Sequence, residues 1–260
     1  MPPIVELDFV DLGLALGLVA IVIALSAQQQ LGLAWNLTLA TVRAFVQLIL
    51  IGFALEVVFD WQHPVAVGAI LVALLAVAVV FARNRIGRKI PRLLLPVTGA
   101  IAAGVALALL YTDFFILRQP ATWLDPRYAI PLTGILAASA MNGATLAGER
   151  FASAIRTSSD EIETRLCLGA TPQQAVSHHR RDAVKAGVLP IINAMAIAGL
   201  GTIPNIMAGQ LLGGVPPLQA AAYQIVILLM LVLANLVTAL LVTSALQRRF
   251  FNAAAQLQRF

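Results

Sequence analysis

Residues 219–246 read QAAAYQIVILLMLVLANLVTALLVTSAL, 28 positions without one charged side chain. As a helix, such a run rises about 1.5 Å per residue and exceeds the roughly 30 Å of hydrocarbon in a bilayer. It is too long, and too free of period-two alternation, for a strand of a transmembrane barrel. Comparable runs occupy approximately 9–27, 33–58, 64–82, 93–112, 129–148 and 187–209. The whole chain is 60% hydrophobic and 11% charged, with a mean hydropathy of +0.90. Soluble domains run nearer 45–50% apolar and about 25% charged, and cannot hide this much apolar surface. The fold class is all-α: a polytopic integral membrane protein with about seven spans, one membrane domain over 1–260.

The basic residues give an orientation, because Lys and Arg near span ends mark cytoplasmic loops. Arg83, Arg85, Arg88, Lys89 and Arg92 fall in one short loop, and Arg150, Arg156, Arg165, Arg180, Arg181 and Lys185 in the segment 149–186. Arg248, Arg249 and Arg259 follow the last span, while only Arg118 and Arg127 fall in the opposite loops. Seven spans with the N-terminus outside and the C-terminus inside put all three basic segments on one side. The sequence pI of about 10.1 therefore reflects membrane topology, and no basic patch interleaved with aromatics points to nucleic acid. The opening residues carry Glu6, Asp8 and Asp11 and no positive n-region, which is unlike a secretory signal. Cys167 is the only cysteine, so no internal disulfide is available.

Several polar residues lie inside the spans. Asn36, Arg43 and Gln47 recur at spacings of seven and four, one stripe of a helix. An arginine at mid-depth costs about 2.5–3.5 kcal/mol on insertion scales, so the stripe must face protein or water. It either lines a translocation path or ties helices together. Gln224, Asn235 and Thr238 make a similar stripe in the last span; Asn142 and Thr145 lie in the fifth, and Asn193 near the start of the sixth. Together these suggest a polar interior, although single amides also glue helices. Small-residue pairs at Gly13 and Gly17, Ala144 and Gly148, and Gly209 and Gly213 permit close crossings. Glu56, Asp60 and His63 cluster at the outer end of the second span, either as ligands for a hard metal ion or as an interfacial rim.

The segment 149–186 is the longest polar stretch. Ser158, Ser159, Asp160 and Glu161 read as a helix start, Gly169 as its stop. Thr171 and Pro172 then supply the N-cap and N1 of a second helix, expected to continue through Gln173 to Lys185 toward Pro190.

Glu163 with Gly169 six residues later, followed by Ala170, Thr171 and Pro172, resembles the cytoplasmic signature of ABC transporter permeases, with Thr164 and Arg165 where that signature has two alanines. RAFVQLILIGFAL at 43–55, LGATPQQA at 168–175, LPIINAM at 189–195 and GQLLGGVPPLQAAAYQIVI at 209–227 extend the likeness. In order and spacing they resemble the Fet-type iron-export and aluminium-resistance permeases. The chain departs from that family at Ile203-Pro-Asn-Ile-Met207, where Asn205 replaces a usual glycine just before Gln210. The resemblance implies an inner-membrane permease domain that exports a metal ion, iron-like, and pairs with a separate ATPase. Glu163, Leu166, Leu168, Gly169, Ala170, Thr171 and Pro172 would be the coupling element seated in that ATPase. A second copy of the chain is implied, surrounded by membrane lipid. Asn36, Arg43, Gln47, Asn142, Asn193, Gln210, Gln224 and Asn235 would face the path. The chain has no G-x-x-x-x-G-K-[ST] phosphate loop, so no cofactor is bound directly and ATP would act through the partner. The alternative is an ion-driven secondary transporter of a small solute, but no convincing repeat and no mid-span carboxylate favour it. No H-E-x-x-H or G-x-S-x-G constellation suggests an enzyme.

Overall fold

A computed structural model describes residues 8–61, 63–87, 90, 92–118, 125–252 and 254–258. Arg88, Lys89, Arg259 and Glu6, used in the orientation argument, lie outside them. Every regular element among the described residues is helical: α1 (Phe9–Gln28), α2 (Ala34–Trp61), α3 (Pro64–Gly87), α4 (Leu94–Tyr111), α5 (Pro126–Thr157), α6 (Ser159–Cys167), α7 (Pro172–Ala175), α8 (Ser177–Ile197), α9 (Asn205–Leu212) and α10 (Pro217–Phe250). A π-helical turn, Thr112–Leu117, extends α4. The chain divides into two compact units: Met1–His63 with Leu212–Gly214, and Pro64–Leu211 with Val215–Phe260.

In the first unit, α1 and α2 are joined by a short turn in which Gln30 and Gly32 take positive φ of 51° and 67°. The backbone N–H of Asp8 donates to Asp11 Oδ2 at 3.0 Å, fastening the start of α1.

The second unit is a bundle whose helix directions follow from matched pairs of residues. Leu74 and Ile86 of α3 meet Gly134 and Gly148 of α5 in the same order, so those helices run parallel. Phe151 of α5 stacks edge-on against Phe250 of α10 with ring centroids 6.4 Å apart. Asn235 of α10 bonds to Ser139 of α5, so α10 is parallel to α5 as well. Ala100 and Pro96, near the start of α4, lie beside Thr238 and Arg248 of α10, so α4 runs the other way. Arg180 of α8 reaches Thr243 and Ser244, while Gly187 lies against Gly143 and Ala147, making α8 antiparallel to both. These directions gather Arg85, Arg150, Arg156, Arg181, Arg248 and Arg249 at one end, the basic end, as the charge pattern anticipates.

Five helical stretches are long and apolar enough to cross a bilayer: Ala34–Trp61, Pro64–Gly87, Leu94–Ile116, Pro126–Thr157 and Pro217–Phe250. Gly13–Gln28 is a shorter apolar stretch. The expected sixth span, 187–209, is not one helix. α8 ends at Ile197; Ala198 is extended and Gly199 turns with φ +84°. Thr202 and Gly201 then donate back to the Ile197 carbonyl. Pro204, which has no N–H, precedes α9. α9 holds 8 residues, about 12 Å, too short to cross by itself.

Candidate functional site

The segment between α5 and α8 forms a knob at the basic end. α6 closes with a two-bond turn: Gly169 N–H donates to the Leu166 carbonyl and Ala170 N–H to the Arg165 carbonyl, both at 3.0 Å. That pairing requires a left-handed residue after the helix, and Gly169 supplies it at φ +91°. The next helix starts two residues later. The Thr171 hydroxyl accepts from Gln174 N–H at 3.3 Å, and the Gln174 side chain accepts from Thr171 N–H at 2.9 Å, a reciprocal cap with Pro172 at N1. The expected cap and proline positions therefore hold.

The second helix does not run on as expected. α7 ends after one turn and the chain kinks at Val176 before α8. The kink sinks Ala175 and Val176 completely into the core. Ile162 of α6 is equally buried, in the same cluster as Phe151, Ile155 and Phe250, with Leu166 and Ala170 packed against it. Buried ends and short turns hold the knob firmly on the bundle. Its tip is open: Leu168 is 82% exposed, with Glu163, Gly169 and Thr171 also exposed.

The knob is linked to α10 by Arg180. Its Nη2 donates to Ser244 Oγ at 2.5 Å and to the Leu240 carbonyl at 3.4 Å; its Nε donates to Thr243 Oγ1 at 3.4 Å. Sequence reading counted Arg180 only as a loop charge. Nothing in its local sequence signals partners sixty or more residues away.

The bundle interior holds two of the expected amides. Asn235 Nδ2 donates to the Ser139 carbonyl at 3.3 Å, and its Oδ1 is buried without a partner. A Cβ on Gly143 would collide with this amide, so glycine lets α5 approach it. Thr238 donates to the Ala100 carbonyl at 3.2 Å. Gln224 is buried, and its Oε1 accepts from Met207 N–H, in the first turn of α9, at 3.2 Å. Gln210, on α9, is half-buried with Oε1 unpartnered. Asn142 and Asn193, expected to face inward, are exposed on α5 and α8. Of the small-residue pairs, Gly148 packs tightly on Ile86, whereas Gly13, Gly17 and Gly209 face open space.

In the first unit Asn36, Arg43 and Gln47 all lie on α2, and all are exposed. Glu56, Asp60 and His63 lie near or beyond its end. Among the described residues no group of three His, Cys, Asp or Glu side chains is placed to share a metal ion. Glu56 and Asp60 are instead exposed one turn apart on α2.

The family profile described as "Uncharacterised protein family (UPF0014)" matches residues 9–251. A UPF0014 membrane protein of Synechocystis is 42% identical over 98% of this chain and 98% of its own. Protein ALUMINUM SENSITIVE 3 of Arabidopsis thaliana is 31% identical over 94% of this chain and 88% of its own. "Probable iron export permease protein FetB" of Escherichia coli is 27% identical over 95% and 93%. No solved structure gives a significant match.

Proposed function

The chain belongs to the UPF0014 family of membrane proteins, and from that premise we propose that it is the membrane-spanning subunit of an ABC-type exporter, driven by a separate ATPase and carrying a metal ion. The observation that carries this reading is the knob at Glu163–Pro172. It is stiffened by a left-handed glycine and a reciprocal cap, anchored through Ile162, Ala175 and Val176, and tipped by an exposed leucine. An ABC-type membrane subunit without a phosphate loop of its own would receive its driving motion through a protein contact, and this element is braced to pass one on. The metal cargo rests on the names of relatives, one of which is called an iron export permease. Two copies of the chain would accompany two ATPase subunits.

The test is co-purification with the candidate ATPase, followed by ATP turnover and metal efflux in vesicles. Gly169→Val forces a β-branched residue into φ +91°, at a cost of about 1–2 kcal/mol to the turn. Glu163→Lys reverses the charge at one exposed position of the knob. Each variant should insert normally and either lose the ATPase or hydrolyse ATP without transport. Normal copurification and normal coupled turnover in both would sink the assignment. The broken α8–α9 segment is a feature shared with ion-driven carriers, whose sites are built from discontinuous helices. Efflux that survives ATP depletion and stops when the ion gradient is collapsed would move that reading ahead.

A further inference from the structure

At the basic end, α4 and α10 enclose a cleft of about 660 Å³ that plays no part in the knob. Its two ends differ in chemistry. Pro96, Gly99 and Leu241 form an apolar wall, and Arg248 and Arg249 close the end nearest the aqueous phase. Among the described residues neither arginine has an ion-pair or hydrogen-bonding partner, and no carboxylate lines the cleft. The hydroxyl of Ser244, which also lines it, is already engaged by Arg180 and the Leu240 carbonyl. The charge on offer is therefore that of two guanidiniums.

We propose that this cleft seats an anionic phospholipid, with the phosphate on Arg248 and Arg249 and the start of an acyl chain along Gly99 and Leu241. Three observations converge. From Leu241 to the end of α10 is about 14 Å, the depth over which a lipid passes from headgroup to hydrocarbon. A guanidinium pair offers forked donors matched to phosphate oxygens, and neither is committed elsewhere. Basic pockets between spans at the cytoplasmic face are where anionic headgroups are held, and the charge distribution assigns this end to that face. Gly99 keeps the wall open, since a Cβ there would meet nothing within 4 Å. A free phosphate would use the arginines and leave the apolar wall bare.

The intact chain, purified in neutral detergent, would be titrated by native mass spectrometry with phosphatidylglycerol, phosphatidylcholine and, separately, glycerol phosphate. Phosphatidylglycerol should bind on the order of tenfold more tightly than phosphatidylcholine, and Arg248→Gln with Arg249→Gln should erase that preference. Gly99→Leu, which fills open space on a helix and should not disturb folding, should weaken phosphatidylglycerol at least severalfold. The melting temperature of each variant in detergent reports its folding independently. Equal binding of the two lipids, or an unchanged preference in the arginine double variant, overturns the proposal. So does glycerol phosphate binding as tightly as the whole lipid and indifferent to Gly99→Leu, which would mark a site for soluble phosphate. Because no arm uses the ATPase, the result is separable from the fate of the transporter reading.

Discussion

Arg180 satisfies three acceptors on α10 from the first turn of α8, and both hydroxyls it engages donate onward to the α10 backbone, Thr243 to Ala239 and Ser244 to Leu240. Interhelical side-chain bonds in membrane bundles average about 0.6 kcal/mol, and two of these three are long, so the cluster contributes modestly to stability. Its position gives it more consequence than its energy. Arg180→Ala should lower the melting temperature by only a few degrees and leave ATPase copurification intact, while reducing transport per ATP hydrolysed. A variant with full coupling would show that the knob reaches the spans by another route. Arg43 is a different case. It forms no hydrogen bond or ion pair among the described residues, and it is exposed on a helix whose composition demands lipid or protein around it. Keeping such a charge at mid-depth without cover costs several kcal/mol, so it must be covered or wetted in the working assembly. Arg43→Ala should impair efflux more than expression or assembly; loss of assembly would make Arg43 a structural tie. Residues like Arg43 announce themselves in sequence because their cost depends only on depth. Arg180 does not, because its partners are set by packing.

The elements that were legible are those whose signals are local. The end of α6 and the start of α7 are written in Gly169, Thr171 and Pro172: Gly169 takes the left-handed turn, the Thr171 hydroxyl accepts from Gln174 N–H, and Pro172 stands at N1 where no N–H is needed. The kink at Val176 has no such signal; Ala175 and Val176, which flank it, are both buried in the core, and that burial is set by packing. The break after α8 lies between. Gly199, Gly201 and Pro204 mark it plainly, yet the hydropathy of 187–209 averages over them and reads as one span. What holds the short α9 is also non-local, namely the side chain of Gln224 capping Met207 N–H. Gln224→Leu keeps the volume and the apolar surroundings but removes that acceptor. Hydrogen exchange at residues 205–212 should then accelerate several-fold, with α4, α5 and the C-terminal half of α10 unchanged. Protection equal to the parent protein would mean that α9 is held by its apolar contacts alone.

For the whole molecule, the central question is whether the broken α8–α9 segment crosses the membrane. The bundle answers it geometrically. α5 and α10 run parallel, with Phe151 and Phe250 together at the basic end, so the chain must cross the bundle's full depth between Thr157 and Pro217. α8 begins at that same end beside Thr243, and no other segment lies between Ile197 and Pro217 except the break and α9. The chain therefore makes this crossing through α8, the extended turn and α9, in addition to the five stretches that qualify by length and hydropathy. The charge pattern is indifferent to the break because it depends on which side the loops occupy, not on whether a span is continuous. The native Cys167 is exposed on α6 and is the chain's one thiol, which makes it a ready reporter. A membrane-impermeant maleimide should label it in inverted vesicles and not in intact cells. Leu218, 86% exposed at the opposite end of α10, should behave the other way once Leu218→Cys is placed in a Cys167→Ser background. Cys167 labelled in intact cells would invert the topology. Both positions labelled from the same side would show that α8 and α9 turn back without crossing, which the parallel packing of α5 and α10 does not allow.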